Sequence, residues 1–471
     1  MRNLVIGEKR PAGSGIIRVI EPAREEVFEE VAAAGPEDLE AAVAAAKAAF
    51  PAWSRLTPVA RAEHLFRFAE VVRAHVDELA LLEGRNGGKP IGGARWEANH
   101  VADTIRYYAG AADKFFGQTI GVKNPGIDIV LRDPMGVVGL IVPWNFPMVI
   151  ATWKMAPALA CGNTVVIKPA SLTPLTAIRL GELALEAGLP PGVVNVIPGP
   201  GAQIGSALAS HPDIAKISFT GETATGRSIM AAAAQTIKRV GLELGGKSPN
   251  VIFGDVDLEP VAAASVASVF DNAGQDCCAR SRILVERRVA DAFLEALKAA
   301  TEALVVGDPL DEATQMGPLI SAAQRTRTES YIEVGQGEGA RLVCGGQRPL
   351  DKGFYLAPTV LADCRPGMRV VDEEIFGPVV SVLTFETEEE AIARANDSIY
   401  GLSGSLWTND LKRGLRVARA IKTGNLSVNS SSSVYLQAPF GGYKQSGLGR
   451  ELGMHAMEHY SEVKNIYFET Q

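Results

Sequence analysis

GVVGLIVPWNFPMVIATWKMAPALACGNTVVIKP (136–169) is the stretch whose reading decides the fold. Residues 134–153 carry no charge over a length that could span a bilayer. Pro143 and Pro147, however, bracket Asn145, and that arrangement would break a membrane helix and bury a polar amide. The stretch therefore reads as a buried strand (GVVGLIV, 136–142), a turn, a helix, and a second buried strand (NTVVIKP, 163–169). Working outward, VVNVIP (193–198) and IAKISFT (214–220) also precede helical stretches. Short apolar strands alternating with helices predict right-handed βαβ units around a parallel sheet. A second alternating region runs from about 247 to 440, with strands SPNVIF, SRILVE and VVSVLTF and a helix over 290–304. Two α/β domains are expected. Upstream, residues 36–50 and 58–83 read as amphipathic helices, the first opening on Pro36 with acids in its first turn.

Two segments break the pattern. QTIGVKNPGIDIVLR (118–132) alternates at period two around Asn124-Pro125-Gly126, which predicts a hairpin. VKNIYFE (463–469) alternates likewise and predicts an edge strand. Lying outside both domains, these pieces are suited to pairing between subunits.

Composition narrows the function. Hydrophobic residues make up 47% and charged residues 21% of 471, enough for a large core. A net charge of −8 with scattered basic residues excludes a nucleic-acid surface. Five cysteines, none in paired spacing, do not build a disulfide framework and suit a reducing cytoplasm. His455 and His459 lie four apart on a predicted helix with no cluster of further ligands, so no metal site is expected. MRNLVIGEKRPAGSG at the start has no apolar signal-peptide core, and no export signal is expected.

Four clusters carry polar groups into turns. Gly274-Gln275-Asp276-Cys277-Cys278 places thiols beside amides and glycine. Small buried residues would look the same, and a catalytic thiol needs its pKa drawn down from ~8.5 by a nearby positive field. Adjacent Asp276 works against that. Gly241-Leu242-Glu243-Leu244-Gly245-Gly246-Lys247-Ser248 matches a phosphate-binding loop formally. Such a loop must open a helix whose first amides hold phosphate, yet here a strand follows, and Glu243 would repel the ligand. Glu243 reads alternatively as a general base or as a solvated loop residue. Asn145, fixed between two prolines, is either a turn former or a rigid oxyanion donor, where losing one donor costs ~3 kcal/mol. Lys168 ends one strand, while Gly199-Pro200-Gly201-Ala202-Gln203-Ile204-Gly205 and Gly221-Glu222-Thr223 follow two others. Each turn alone is weak, but together they suit a pyrophosphate on amide donors.

In chain order, PWNFP (143–147), IKPAS (167–171), FTGETATG (219–226), LELGGKSP (242–249), GQDCCA (274–279), EEIFGP (373–378) and PFGGYKQSG (439–447) resemble the aldehyde dehydrogenase superfamily. The likeness runs from about residue 20 to the C-terminus and is to its NAD(P)-dependent, non-acylating members. It makes the phosphate-loop match an accident of pattern. The resemblance implies an α/β fold with a Rossmann-like cofactor domain (1–117 and 135–245), an α/β catalytic domain (246–445), and a small β bridging sheet from 118–134 and 455–471. That sheet implies a homodimer or homotetramer.

The same resemblance assigns roles. Cys277 corresponds to the nucleophile, Glu243 to the base that hydrolyses the thioester, and Asn145 with the Cys277 amide to the oxyanion hole. Val142, Trp144, Lys168, Ala170 and Ser171 correspond to one part of the NAD or NADP site. Gly201, Gly205, Phe219, Gly221, Glu222 and Thr223 correspond to a second part, and Leu244, Glu374 and Phe376 to a third. Where strongly NAD-preferring members carry a glutamate, this chain has Ser171, so tolerance of NADP is expected. Val149 and Trp153 correspond to one wall of the substrate tunnel, with Val434, Tyr435 and Leu436 on the other. Asp276 beside the nucleophile is similar to aminoaldehyde-oxidising members, with aliphatic or aromatic aldehydes as the alternative and a turn-capping Asp as the plainer reading. A noncatalytic scaffold, a thioesterase and a nucleotide hydrolase are the rival functions.

Overall fold

A computed structural model describes residues 2–432 and 434–470. Its strands fall into four sheets. An N-terminal hairpin pairs β1 (Gly15–Glu21) with β2 (Glu26–Ala33). Next come β3 (Gln118–Ile120) and β4 (Gly126–Pro134), antiparallel around the expected turn. The parallel run then follows as β5 (Val137–Ile141), β6 (Thr164–Lys168), β7 (Val194–Val196), β8 (Lys216–Thr220) and β9 (Arg239–Glu243). A second set comprises β10 (Pro249–Ile252), β11 (Arg282–Glu286), β12 (Arg341–Cys344), β13 (Thr359–Ala362), β14 (Val379–Phe385), β15 (Ser403–Trp407) and β16 (Asn425–Val428). The chain finishes with β17 (Gly447–Leu448) and β18 (Ser461–Glu469).

The six-stranded sheet has the order β17-β9-β8-β5-β6-β7, parallel except for β17. Every residue of β5, β6, β7 and β8 is buried, as helices on both faces of a parallel sheet require. The order reverses beside β5, which sits between β6 and β8, and a crevice opens at such a switch point beyond the strands' carboxyl ends. The seven-stranded sheet has the order β12-β13-β14-β11-β10-β15-β16, with only β12 antiparallel. The third sheet, β18-β4-β3, stands apart, with exposed Ile127, Val463 and Phe468 on its strands.

The uncharged stretch around 134–153 folds as a strand, a turn and the wholly buried helix Pro147–Ala160. Among the described residues no helix is long and apolar enough to cross a membrane. One expectation needs correction: 58–83 is not a single helix. It divides into Pro58–Ala74 and Val76–Gly87 at His75, whose φ/ψ of −112/19 leaves the helical region. The His75 ring bonds the Val71 carbonyl at 2.8 Å and takes up an end that would otherwise lack a partner.

Asn163 ties this layer to the C-terminus. Its carboxamide oxygen accepts from the Met135 and Gly136 amides (2.7 and 3.1 Å), and its Nδ2 donates to the Ala158 and Tyr460 carbonyls (3.1 and 2.8 Å). The residue is fully buried, so Asn163→Leu strands several polar groups at once. The expected loss is about 3 kcal/mol or more, read as a lowered urea midpoint; a midpoint within error of the parent would refute this reading.

Candidate active site

The carboxyl ends of β5, β6 and β8 converge on a cavity of about 920 Å³. Beyond β5 the chain turns through Pro143, Trp144 and Asn145 before Pro147 opens the buried helix at its first position. Facing that turn is the loop after helix Leu258–Phe270, which runs through Asn272 to Cys277. Val142, Trp144, Asn145, Lys168 and Ala170 line one side of the cavity. Gly201, Gly205, Phe219, Gly221, Glu222 and Thr223 line the next, and Leu244, Cys277, Glu374 and Phe376 close it.

Ser171 is absent from the lining. Its hydroxyl donates to the Gly199 carbonyl at 3.2 Å, an oxygen it shares with Lys168 Nζ at 3.3 Å. Glu243 also lies off the main cavity. It lines a separate void of about 10 Å³, room for a single water, together with Ser218, Glu451 and Tyr460. Far from being a solvated loop residue, Glu243 is 4% exposed at the end of β9. The phosphate-loop reading fails as expected, because Ser248 leads directly into β10.

Burial disfavours the charged forms of the ionisable groups here. The Glu243 carboxyl is raised well above the usual range, first by burial and then by the neighbouring Glu451 charge. Glu374 is pushed up to about 7, chiefly by burial. Burial draws Lys168 down to about 8. The Cys277 thiol stands well above its ordinary value, first through its hydrogen bond with the Cys278 thiol, then through burial and the Asp276 charge.

The substrate-side residues form a different neighbourhood. Val149 and Trp153 are buried on helix Pro147–Ala160, and Trp153 meets Phe440 edge-on at 5.3 Å. Trp153 Nε1 donates to His100 Nε2 at 3.1 Å, and Trp96 stacks on that imidazole at 4.9 Å. Val434, Leu436 and Cys277 pack against the same cluster, so the thiol lies between it and the cavity. Tyr435 is 56% exposed. Asp276 accepts from the Cys278 amide at 2.9 Å, the turn-capping arrangement.

Several residues at the site were not anticipated. Gln324 and Arg327 reach the cavity from helix Ala322–Gly337, and Gln324 Nε2 donates to the Phe376 carbonyl at 2.6 Å. Phe376 has φ 62, a strained value for a bulky residue, and packs edge-on against Trp144 at 5.2 Å. Neither helical residue belongs to a strand-to-glycine turn, so no local pattern marks them. Lys154 did carry a signal, as the lone charge of a helix that is otherwise apolar.

The cavity suits a dinucleotide. Its volume lies in the range of cofactor sites. The Gly246 amide donates to Glu374 Oε1 at 3.0 Å and fixes that carboxylate at the lining. A Cβ on Gly245 would come within 2.2 Å of Glu374 Oε2, so only glycine leaves the group its place.

A crevice at the strand carboxyl ends, with glycine turns on one wall and a thiol on the other, defines a cofactor-dependent α/β enzyme. The chain belongs to the aldehyde dehydrogenase family, whose model matches residues 10–466. It is 44% identical over 460 residues to a betaine aldehyde dehydrogenase of Bacillus subtilis, covering 96% of this chain and 94% of that one. It is 43% identical over 469 residues to the peroxisomal aminoaldehyde dehydrogenase 2 of Pisum sativum, covering 97% and 93%. The crystal structure of Staphylococcus aureus betaine aldehyde dehydrogenase in complex with NAD+ superposes with a TM-score of 0.98 at 40% identity, covering 100% of this chain and 95% of that one.

Cys278→Ala removes the first cause of the raised Cys277 pKa. Because iodoacetamide reacts with the thiolate, alkylation of Cys277 at pH 7–8 is expected to quicken and its pH profile to move toward lower pH. An unchanged profile would show that burial and the neighbouring carboxylates, not Cys278, set the thiol.

Proposed function

We propose that this enzyme oxidises an aldehyde to a carboxylic acid, with Cys277 as nucleophile, Asn145 and the Cys277 amide as oxyanion donors, and Glu243 as hydrolytic base. The observation that carries this reading is that Cys277 and Asn145 line one cavity with Lys168, Glu374 and the glycine turns. Cys277 passes its proton to water and its sulfur bonds to the aldehyde carbon as the carbonyl π bond opens, while Asn145 Nδ2 and the Cys277 amide take the charge gathering on oxygen. An oxidised nicotinamide dinucleotide would be held by Lys168 at its adenosine ribose and by Glu374 and Phe376 at its nicotinamide end, and when bound would supply the hydride acceptor that turns the adduct into a thioester. Glu243 then removes a proton from water as that water attacks the resulting thioester, the carbon–sulfur bond breaks, and the acid leaves. The base works only when deprotonated, so its raised pKa places activity toward alkaline pH.

Aldehydes bearing a cationic nitrogen are the substrates we favour, in line with the names of the betaine and aminoaldehyde relatives. Because Asp276 is engaged at its turn, the aromatic pair Trp153 and Phe440, in the cluster against which Cys277 packs, would be the groups to receive such a cation. An apolar aldehyde would use the same aromatic pair. Exposed apolar residues on the sheet of β3, β4 and β18 support a homo-oligomer bridged through it. In this reading 1–117 and 135–245 hold the cofactor, 246–445 catalyse, and 118–134 and 455–471 bridge. Five unpaired thiols suit a cytoplasmic setting.

The test is a panel of aliphatic, aromatic and amino-substituted aldehydes with NAD+ or NADP+, following reduced cofactor by absorbance. Glu243→Gln is expected to give about one equivalent of reduced cofactor per enzyme and then turn over at least ~10²-fold more slowly. Undiminished steady turnover would remove Glu243 from its role. Serine at 171 leaves a 2′-phosphate unopposed, so Ser171→Glu is expected to raise the KM for NADP+ by ~10-fold or more while sparing NAD+. An equal effect on both cofactors would refute this.

A further inference from the structure

The two oxyanion donors proposed above come from segments some 130 residues apart, and something must hold them in register to a fraction of an ångström. Asn272 stands at that junction. Its Nδ2 donates to the Asn145 main-chain carbonyl at 3.0 Å and to the Gln275 carbonyl at 3.3 Å. Asn145 Nδ2 donates to the same Gln275 carbonyl at 2.9 Å. Asn145 is thus gripped at both ends, main-chain oxygen and side-chain amide, by the segment that carries Cys277. Lys89 Nζ reaches the Asn145 carbonyl from the other side at 3.1 Å, itself paired with Glu97 and lying 3.9 Å above the Phe146 ring.

The Asn272 side chain can do this because of its backbone. Asn272, Ala273 and Gly274 have φ of 48, 56 and 69, three left-handed residues in succession. Asparagine tolerates that region better than most residues. A Cβ on Gly274 would meet the Gly377 carbonyl at 2.2 Å, so the third position admits only glycine. The coil is closed by Gln275, whose amide and Nε2 both donate to the Asn272 carbonyl (3.1 and 2.9 Å) and whose Oε1 accepts from the Ile320 amide at 2.9 Å.

We infer that Asn272 is a positioning residue for the oxyanion hole: its carboxamide sets the Asn145 amide against the Cys277 loop, and it acts on chemistry only through Asn145. This rests on the proposed roles of Cys277 and Asn145. One Asn145 hydrogen is consumed by Gln275, which aims the other, and losing Asn272 lets the turn and the loop separate.

Asn272→Gly keeps the left-handed backbone and deletes the bridge; Asn272→Asp keeps the shape and replaces both donors with acceptors. For the best aldehyde of the panel, both are expected to lower kcat by ~10²-fold, with cofactor affinity and the Cys277 alkylation rate within about twofold of the parent. In an Asn145→Ala background, adding Asn272→Gly is expected to cost less than about threefold more. Parent-like kcat in both single variants overturns the inference. So does a full further loss in the double variant, since a merely structural role is additive. If the unmodified enzyme oxidises no aldehyde, the functional reading fails instead.

Discussion

A buried ion pair, Lys154 with Glu451, holds the buried helix that follows β5 to the C-terminal segment. Lys154 sits in the middle of a helix in which every residue is buried, a place where an unpaired ammonium would cost several kcal/mol. Its partner lies 297 residues away, so the helix can keep its charge only if the chain returns from the seven-stranded sheet and closes over β9. That return also pairs β17 with β9 and places Gly441 where a Cβ would stand 2.7 Å from Glu243 Oε1. Glu243 is therefore boxed in by the same contacts that complete the sheet. Ser218, on β8, accepts from Lys154 at 3.1 Å and links the pair back to the strand beside the cavity.

Closure of this kind has an electrostatic consequence. With water driven out, the charged forms of Glu243, Glu374 and Cys277 are all disfavoured, as are those of Lys168 and Lys247. In a site built this way, charge that develops during a reaction meets fixed dipoles instead of mobile solvent. In the same setting the Cys277 thiol has neighbours, Cys278 and Asp276, that oppose its ionisation.

What could be read from the sequence follows the range of the forces involved. The strands of the first sheet were legible because burial on both faces writes an uninterrupted apolar run. The glycine turns and Lys168 were legible because they abut those runs. His75 was not, since its break in the helix depends on one ring finding one carbonyl. The bridging role of Asn272 was hidden for a different reason: three consecutive left-handed residues leave no compositional trace when only the last is glycine. Gln324 and Phe376 meet through tertiary contact alone. Lys154 shows the intermediate case, where a lone charge in an apolar helix announces a partner without saying which.

GLELGGKS shows how a motif acquires its glycines for reasons other than ligand binding. In a phosphate loop they would free amides for an anion. Here Gly245 makes room for the Glu374 carboxylate, and a Cβ on Gly246 would stand 2.3 Å from the Cys277 carbonyl. Lys247, which a phosphate would need at the surface of the loop, is buried and drawn down to about 7 by burial and the nearby Arg282 charge. Gly245 and Gly246 are each accounted for by an atom from the facing loops, 374 and 277, pressing against the chain as it leaves β9. The pattern is thus a record of two layers packed closely where β9 ends, with the Glu243 carboxyl and the Cys277 thiol lining separate voids beside it.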